Sequence, residues 1–454
     1  MFKEAWTLSI ETLSWMEMRR LSEPLALART VKQLGITDYN VVRMAHQLVT
    51  ETVRRQNFID WFITDVVGLE EFESFSLGVQ AFLRLFVYQT RVAKNWSALD
   101  FDEAESVVRL ARSILGWKTM QPVEPVLGAL LIHKQTSVLD GLNDEERIGL
   151  ETFHPSWFVK YCTRLFGRVE AIRFLQANMA PSPTYLRINT VKAREDEVLK
   201  RLAEEGVCLE KVEGLRLTYE VKSAQHPVAM SDSFRNGLFF VQDKASCFAV
   251  QAGNPARGAT VLDICAAPGA KTTYLAELMS NEGEIISIDY SKRRMNTWKN
   301  EVAKSGVDVA EPLVADARVC LPLNAEADLV FLDPPCTGTG TFGKTASAKW
   351  RLTLNSVEKM ADIQWVMLNK CSSYVKPGGA LTYSTCSITV EENEMLIERF
   401  LKWHTEFSLV EIEPSIGSPG LRGLEKCQRL YPHVHRCNGF FIAKVARMGS
   451  TEDS

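Results

Sequence analysis

The chain has 454 residues, enough for about three domains of ordinary size. Its composition, 46% hydrophobic and 24% charged, is that of a globular protein and excludes a disordered or fibrous one. A net charge of −4 excludes a protein that coats nucleic acid through charge alone. No apolar run reaches the ~18 to 20 residues that span a bilayer, and the first residues do not resemble a signal peptide. We therefore expect a cytoplasmic protein without a membrane partner.

Residues 1–150 predict an all-helical domain. Apolar residues recur at steps of three and four, as in the stripe of Val41, Ala45 and Leu48, and no stretch alternates polar and apolar residues. The segment holds 16 Lys and Arg against 20 Asp and Glu, so the acidic excess of the chain lies here. It contains no catalytic motif, and we interpret it as a scaffold or docking surface.

Residues 151–235 predict a small α+β module. A helical pattern over 154–179 leads to Pro181 and Pro183, which mark a joint, and then to an extended stretch at 184–190. A helix from Glu195 to Glu205 and short extended pieces complete the module.

From 236 to 448, short apolar runs alternate with helical segments. The runs that predict buried strands are 261–265, 284–289, 312–316, 328–333, 380–387 and 439–445. This alternation predicts a parallel α/β sheet with helices on both faces, whose ligands bind at the carboxyl ends of the strands. The polar residues 449–454 predict a disordered tail.

Three of these strands end in features typical of a nucleotide-type cofactor site. The small-residue turn DICAAPGAK, 263–271, opens a helix, and Gly269 lets the backbone approach a ligand closely. Asp289 ends the second strand, where a carboxylate can accept hydrogen bonds from ribose hydroxyls, and Asp316 ends the third, facing an adenine amino group. The alternative is a set of strand-end turns with capping carboxylates.

A second motif, GTGTFGKT at 338–345, satisfies the pattern of an ATP-binding loop. Its context is wrong, because residues 333–336 separate it from the preceding strand and no strong helical stripe follows. Binding of a nucleoside triphosphate is therefore disfavoured.

The ten cysteines all follow residue 161, and none stands in a CxxC pair or a zinc-finger spacing. The sequence thus predicts free thiols and no metal site. Cys336 and Cys386 stand at the ends of the fourth and fifth predicted strands, which can be neighbours in a parallel sheet. We expect both thiols over one crevice beside the cofactor turn. Cysteines such as Cys162 and Cys371 are interpreted as small core residues.

Three segments together resemble the signature of a known family: DICAAPGAK (263–271), FLDPPCTGTG (331–340) and TYSTCS (382–387). The family is that of the Sun/NOL1/NOP2-type RNA cytosine-5 methyltransferases, which includes bacterial 16S rRNA methyltransferase B. The resemblance is strong over about 150–446. Over 1–130 it is weaker, and there the chain resembles the NusB-like helical domain of the methyltransferase B subgroup.

The resemblance implies a Rossmann-like, S-adenosylmethionine-dependent enzyme that forms 5-methylcytosine in structured RNA through a covalent adduct at cytosine carbon 6. It implies that Cys386 is the nucleophile and that Cys336 assists breakdown of the adduct. Asp333 would hydrogen bond the cytosine edge, and Lys271 would hold nearby negative charge. The implied cofactor-binding residues are Cys265, Ala266, Ala267, Pro268, Gly269, Ala270, Lys271, Asp289, Arg294, Asp316 and Asp333.

Position 270 departs from the family's usual CAAPGGK turn, because Ala270 stands where a second glycine is common. Its methyl group is tolerable only if the residue avoids positive φ. RNA contacts are expected in the α+β module and from local basic and aromatic residues. The candidates are Arg187 with Asn189, Lys292 to Arg294, Lys349 to Arg351, Arg422, Lys426, Arg429 and Arg436.

Alternatives for the substrate and the class stay open at this point. Ribosomal RNA, within an assembly intermediate, is the favoured substrate, and transfer RNA is the nearest alternative. A different class is an RNA-binding assembly scaffold without turnover, against which the presence of both thiols argues. DNA cytosine methylation is the third alternative, and it would use the cysteine of the PC motif, Cys336, as the nucleophile.

Overall fold

The computed structural model describes residues 2–94, 101–133, 141–324 and 326–449. The predicted tail lies outside the described residues, apart from Gly449. Across the described ranges, no helix combines the length and the apolar character needed to cross a membrane.

The chain divides into two compact units. The first comprises Met1–Met179 and Thr345–Arg351, and the second comprises Ala180–Lys344 and Leu352–Ser454. Residues 151–179, which the sequence assigns to the small module, therefore pack with the N-terminal helices. Hydrophobic periodicity indicates that a segment is helical, but it does not reveal which neighbour the apolar face meets.

The first unit is helical throughout its described part, as predicted for residues 1–150. Its helices are Phe2–Arg19, Glu23–Leu34, Tyr39–Arg54, Gln56–Val67, Leu69–Ser74, Leu77–Val87, Phe101–Leu115, Trp117–Met120, Glu124–Ile132, Asp144–Glu151, Ser156–Phe166, Arg168–Ala177 and Ala348–Arg351, with a π-helical turn at Tyr88–Val92. Fully buried aromatic residues such as Trp6, Phe62 and Phe82 form its core.

A small antiparallel sheet begins the second unit. Its strands are β1 (Tyr185–Ile188), β2 (Val207–Lys211), β3 (Thr218–Ala224) and β4 (Phe239–Val241), in the order β2-β3-β1-β4. The helix Glu195–Glu204 packs Val198 and Leu202 against this sheet. The predicted α+β character of this region is confirmed.

The large sheet of the second unit carries the motif residues. Its strands are β5 (Thr260–Ile264), β6 (Glu284–Asp289), β7 (Ala310–Val314), β8 (Ala327–Leu332), β9 (Val375–Thr385), β10 (Phe407–Leu409), β11 (Ser418–Pro419), β12 (Gln428–Leu430) and β13 (Phe440–Arg447). The order is β11-β12-β13-β9-β8-β5-β6-β7, and β10 pairs with β13.

The prediction of an all-parallel sheet is wrong for its last strand. The pairs among β5 to β9 are parallel, whereas β13 runs antiparallel to β9. Residues Phe440–Ala443 are buried on both faces of the sheet. A strand buried on both faces is apolar along its whole length in either direction, so the pattern at 439–445 could not reveal its orientation.

Helices cover both faces of the large sheet, as predicted. Val261 belongs to one apolar core and the next residue, Leu262, to the other, which is the alternation of a strand with two buried faces. The helices of the second unit besides Glu195–Glu204 are Asp232–Arg235, Lys244–Gly253, Ala270–Leu278, Lys292–Ser305, Leu354–Ser372, Glu394–Trp403 and Pro432–His435, with a 3-10 turn at Val228–Met230.

Candidate active site

The three motifs follow three adjacent strands of the large sheet. The turn 265–271 follows β5, the segment 333–340 follows β8, and Cys386 follows β9. On its other side β5 pairs with β6, whose last residue is Asp289. From β5 the strand order runs to β6 and β7 on one side and to β8 and β9 on the other. In α/β sheets a ligand crevice forms at the carboxyl ends of the strands where the order reverses in this way.

The turn after β5 has a backbone that specific residues make possible. Gly269 has φ +114°, and a Cβ there would lie 3.2 Å from Cδ1 of Trp298, so both conformation and space require glycine. Ala270 is the first residue of the helix Ala270–Leu278. Its methyl group therefore stands on a right-handed helical residue, and the condition set by the sequence is met.

Asp289 and Arg294 link β6 to this turn. Asp289 is buried, its Oδ1 accepts a hydrogen bond from the Ser291 amide at 3.0 Å, and its Oδ2 lies 2.9 Å from Nη1 of Arg294. Arg294 also donates to the carbonyl of Ala267. The guanidinium therefore holds the turn and the carboxylate together, as expected of a residue on the cofactor side.

Two cavities that share Cys265, Tyr290 and Pro335 are lined by the predicted site residues other than Gly269. One, of about 260 Å³, is lined by Cys265, Asp289 and Asp316 together with apolar side chains that include Ile288, Ile363 and Met367. The other, of about 470 Å³, is lined by Cys265 to Pro268, Ala270, Lys271, Arg294, Asp333, Cys336 and Cys386.

Asp316 lies in the wall of the smaller cavity beside Arg318. The Nη2 of Arg318 is 2.6 Å from Oδ2 of Asp316, and this hydrogen bond lowers the pKa of the carboxyl. Asp316 is thus an anion whose position is fixed by its neighbour.

The two thiols lie together, as expected from their strand ends. Cys336 Sγ and Cys386 Sγ are 3.1 Å apart, because β8 and β9 are hydrogen-bonded neighbours. The hydrogen bond to Cys386, followed by burial, raises the pKa of Cys336 well above its usual value. Cys336 is therefore a protonated thiol beside the sulfur of Cys386. Within the described part of the chain, no three His, Cys, Asp or Glu side chains are arranged to hold a metal ion.

Lys271 and Asp333 form an ion pair in the same cavity. Burial alone would lower the pKa of Lys271, but the charge and hydrogen bond of Asp333 outweigh it and raise the pKa, with a further contribution from Cys386. The other oxygen of Asp333 accepts a hydrogen bond from Ser384 Oγ at 3.0 Å. The ammonium therefore holds negative charge at the site, and the carboxylate is fixed from two sides.

Sequence reasoning missed two buried carboxylates next to the motifs. Asp263, in the strand before the turn, accepts a hydrogen bond from Thr272 at 2.5 Å, and burial raises its pKa to about 7. Glu392 is fully buried six residues after Cys386. The available signal was the acidic pair Glu391 and Glu392, a few residues after the strand that leads to Cys386.

Three of the expected RNA contacts, Arg187, Asn189 and Arg429, have structural roles instead. Arg429 is buried, pairs with Glu394 and donates to the carbonyl of Ile388 at 2.9 Å. Arg187 is fully buried, pairs with Glu277 and donates to Gln242 at 2.7 Å. Asn189 is also fully buried and donates to two backbone carbonyls. A basic side chain suggests a contact at the surface. A guanidinium can also lie inside the protein when a carboxylate and an amide accept its hydrogen bonds.

The expected RNA contact at Lys349 to Arg351 is wrong for Lys349 and Trp350, which lie in the segment Thr345–Arg351 of the first unit. Lys349 is buried in the first unit and donates to the carbonyls of Arg54 and Phe153 at 2.9 and 2.6 Å. The indole of Trp350 donates to the carbonyl of Val53 at 2.6 Å. These side chains hold the segment in the helical unit and are not free to bind RNA. Lys292 and Arg293, by contrast, are exposed, as an RNA contact requires.

The segment 338–345 does not have the arrangement of an ATP-binding loop. The amide of Gly340 donates to the carbonyl of Cys386 at 2.9 Å. Gly340 also packs against Gly439 so closely that a Cβ on Gly340 would lie 2.1 Å from the carbonyl oxygen of Gly439. Lys344 pairs with Asp243 at 2.8 Å. These residues support the loop that follows Cys336.

Comparison with known proteins identifies the family. A family model described as 16S rRNA methyltransferase RsmB/F matches residues 250–446, and a second, for the ferredoxin-like domain of RsmF/B-like methyltransferases, matches 154–223. The chain belongs to this family of RNA cytosine-5 methyltransferases. The mixed sheet with helices on both faces is its Rossmann-like methyltransferase domain.

Relatives match over nearly the whole chain. A probable ribosomal RNA small subunit methyltransferase B of Bacillus subtilis is 28% identical, over 97% of this chain and 98% of the relative. The crystal structure of PH0851 superposes with a TM-score of 0.81 and 30% identity, covering 98% of both chains. The structure of NSun6 from Pyrococcus horikoshii with SFG, an S-adenosylmethionine analogue, has a TM-score of 0.61 and 25% identity, covering 65% of this chain and 99% of that one.

Family membership confirms the predicted class of activity. The enzyme is an S-adenosylmethionine-dependent RNA cytosine-5 methyltransferase, and the covalent adduct is the mechanism general to its family. The relatives named as RNA cytosine-5 methyltransferases favour this class over the alternatives of a DNA methyltransferase and of a scaffold without turnover.

Proposed function

We propose that this enzyme methylates carbon 5 of a cytosine in small-subunit ribosomal RNA, with Cys386 as the nucleophile and Cys336 as the residue that resolves the adduct. The observation that carries the proposal is the separation of 3.1 Å between the two sulfur atoms, beside the turn that follows β5. One thiol can then attack a base while the other reaches the same ring.

The residues of the two cavities fit S-adenosylmethionine. Asp289 is a buried carboxylate suited to ribose hydroxyls, and the apolar wall at Ile288 and Met367 is suited to the flat face of an adenine. Asp316 can accept from the adenine amino group, and Gly269 gives the turn 265–271 its backbone conformation. When bound, the cofactor supplies an electrophilic methyl group on a sulfonium.

The first chemical step that we assign is addition of the Cys386 thiolate to carbon 6. Carbon 5 of cytosine is a weak nucleophile, and the new bond at carbon 6 makes it enamine-like. Asp333, held by Lys271 and Ser384, accepts a hydrogen bond from the amino group on the base edge and fixes the ring. Carbon 5 would then be able to take the methyl group that bound S-adenosylmethionine would supply.

Cys336 is suited to the second half of the reaction. Before addition, the thiol of Cys336 donates a hydrogen bond to the sulfur of Cys386 and stabilises the nucleophile. This hydrogen bond is the main cause of the raised pKa of Cys336. Once Cys386 is a neutral thioether, that cause weakens, and Cys336 can lose its proton to solvent and accept the proton of carbon 5. The freed electron pair forms the double bond between carbons 5 and 6, and Cys386 leaves as a thiolate.

We further infer that the helical first unit is a NusB-like domain that docks the enzyme on a cytoplasmic assembly intermediate of the ribosome. The similarity to the Bacillus subtilis relative, which extends through 97% of this chain, supports this assignment. The exposed Lys292 and Arg293 are suited to phosphate contacts next to the crevice.

The test compares RNA substrates and cysteine variants. Wild type, Cys386→Ala and Cys336→Ala are each incubated with S-adenosylmethionine and with unmodified small-subunit ribosomal RNA, immature small subunits or transfer RNA. We expect 5-methylcytidine from wild type with a ribosomal substrate, and none from Cys386→Ala. Methylation of transfer RNA alone would contradict the proposal of a ribosomal substrate. Full activity of Cys386→Ala would contradict the proposal that Cys386 is the nucleophile.

A further inference from the structure

Glu392 connects the two loops that carry the reactive thiols. It is fully buried, and its Oε1 accepts hydrogen bonds from the Thr337 amide at 2.8 Å and from Gln364 Nε2 at 2.9 Å. Its Oε2 accepts from the hydroxyls of Thr337, Ser387 and Thr389 at 2.5, 2.6 and 2.7 Å. Thr337 follows Cys336 directly and Ser387 follows Cys386 directly, so one carboxylate bonds to the neighbours of both thiols.

These contacts suit an acceptor with two oxygens. The groups on Oε1 are N–H donors that cannot accept, and the three hydroxyls point at Oε2. Hydrogen bonds to an ionised acceptor are about twice as strong as neutral ones. Five such bonds offset the cost of burying the carboxylate of Glu392, and they order the two loops with respect to each other.

The loop of Cys386 has anchors that do not involve Glu392. Thr385 Oγ1 donates to Asn393 Oδ1 at 2.6 Å, and Asn393 Nδ2 donates to the carbonyl of Ser387 at 2.9 Å. The carbonyl of Cys386 itself accepts a hydrogen bond from the Gly340 amide at 2.9 Å. These three bonds hold the Cys386 loop from both sides of the thiol.

The residues immediately before and after Cys336 are held through Glu392. Further along the same loop, Thr339 accepts from the Ile388 amide and Gly340 donates to the Cys386 carbonyl. After the thiol, the amide and the hydroxyl of Thr337 both bond to this carboxylate. Before the thiol, the carbonyl of Pro335 accepts from Gln364 at 2.9 Å, and Gln364 is itself oriented by Glu392. Loss of the carboxylate therefore loosens Cys336 more than Cys386.

We propose that Glu392 is a positioning residue that holds the Cys336 thiol against Cys386 for breakdown of the covalent adduct. The inference rests on the roles proposed above for the two cysteines. It predicts a split between the two halves of the reaction: without Glu392, the adduct still forms at Cys386, but it resolves slowly and accumulates.

The test measures formation and breakdown of the adduct separately. Wild type, Glu392→Gln, Thr337→Val and a control, Glu394→Gln, are mixed with S-adenosylmethionine and substrate RNA. Protein–RNA complexes that survive denaturing gels, and 5-methylcytidine, are followed over time. The control has the same substitution two residues away, where the buried carboxylate pairs with Arg429 instead of with the thiol loops.

In Glu392→Gln we expect the ratio of adduct to product to rise about tenfold, with formation changed less than about twofold, because the amide nitrogen cannot accept from the hydroxyls. Thr337→Val, which removes one donor and keeps the shape, is expected to raise the ratio about threefold. Glu394→Gln is expected to lower the melting temperature and leave the ratio at the wild-type value.

An equal loss of formation and breakdown in Glu392→Gln, or a wild-type ratio, would overturn the inference and leave the residue a purely structural role. If Glu392→Gln does not fold, the ratio in Thr337→Val decides. The proposed cysteine roles are tested separately in the same assay, because Cys386→Ala must abolish the adduct. If adduct persists in that variant, the roles are wrong whatever Glu392 does.

Discussion

Two lysines with little exposure, Lys271 in the second unit and Lys349 in the first, have pKa values that shift in opposite directions. Burial lowers the pKa of Lys271, but the charge and hydrogen bond of Asp333, together with the nearby Cys386 and Asp263, outweigh burial and raise it. The pKa of Lys349 is lowered well below its usual value by burial and then by the charges of Arg54 and Arg55. The first lysine organises negative charge in a cavity, whereas the second satisfies two backbone carbonyls. The environment, and not the residue type, separates a functional lysine from a structural one.

The largest expected effect follows from removing the charge of Lys271. Lys271→Met leaves Asp333 without its partner, so the carboxylate no longer holds the base edge in place. We expect a loss of about 10²-fold in the single-turnover methylation rate per folded molecule, together with a lower melting temperature because the ion pair contributes to stability. A methylation rate within about threefold of wild type would show that Lys271 has the same passive role as Lys349.

At Lys349 we expect a loss of stability with little change in activity. Lys349→Met leaves the carbonyls of Arg54 and Phe153 buried without these donors, which costs about 1 to 3 kcal/mol of unfolding free energy. Activity per folded molecule should stay near wild type. Urea unfolding and the methylation assay together measure both quantities, and a stable but inactive variant would contradict the assignment.

The smallest expected effect is a difference in how stability depends on pH. A lysine whose folded pKa lies below its unfolded value, about 10.4, penalises folding at lower pH. The penalty at Lys349 is therefore relieved as pH rises towards that value. Lys271 has a raised folded pKa, so its contribution is complete below about 10.4 and is lost above it.

Unfolding free energies of wild type and of each methionine variant, measured between about pH 7 and 10, test this difference. The stability of wild type relative to Lys349→Met should rise with pH over this range, and its stability relative to Lys271→Met should stay level. Equal slopes in the two comparisons would contradict the assigned directions.

Much of the candidate active site could be predicted from the sequence, because its residues stand at strand ends. Strand ends are local features, so the turn 265–271, Asp289 and the two reactive cysteines could be located from buried runs and the residues after them. Their proximity then follows from the neighbouring positions of β5, β8 and β9. The pairing of Arg294 with Asp289 also agrees with its predicted place one turn into the next helix.

What the sequence did not reveal depends on contacts between distant segments. The hydrogen-bond partners of Arg187 lie 55 to 90 positions away in the sequence, and those of Lys349 lie nearly 200 to 300 positions away. No local pattern records such partners. Glu392 was missed for the same reason, because its link to Thr337 across 55 positions exists only once β8 and β9 are adjacent.

The most direct test of the account is to identify the cysteine that carries the base. The covalent complex of the enzyme with its RNA, formed in Cys336→Ala to slow its breakdown, is digested with protease and nuclease, and the modified peptide is sequenced by mass spectrometry. The account predicts a single cytidine adduct on Cys386. An adduct on any other cysteine of this variant, such as Cys265, would contradict it.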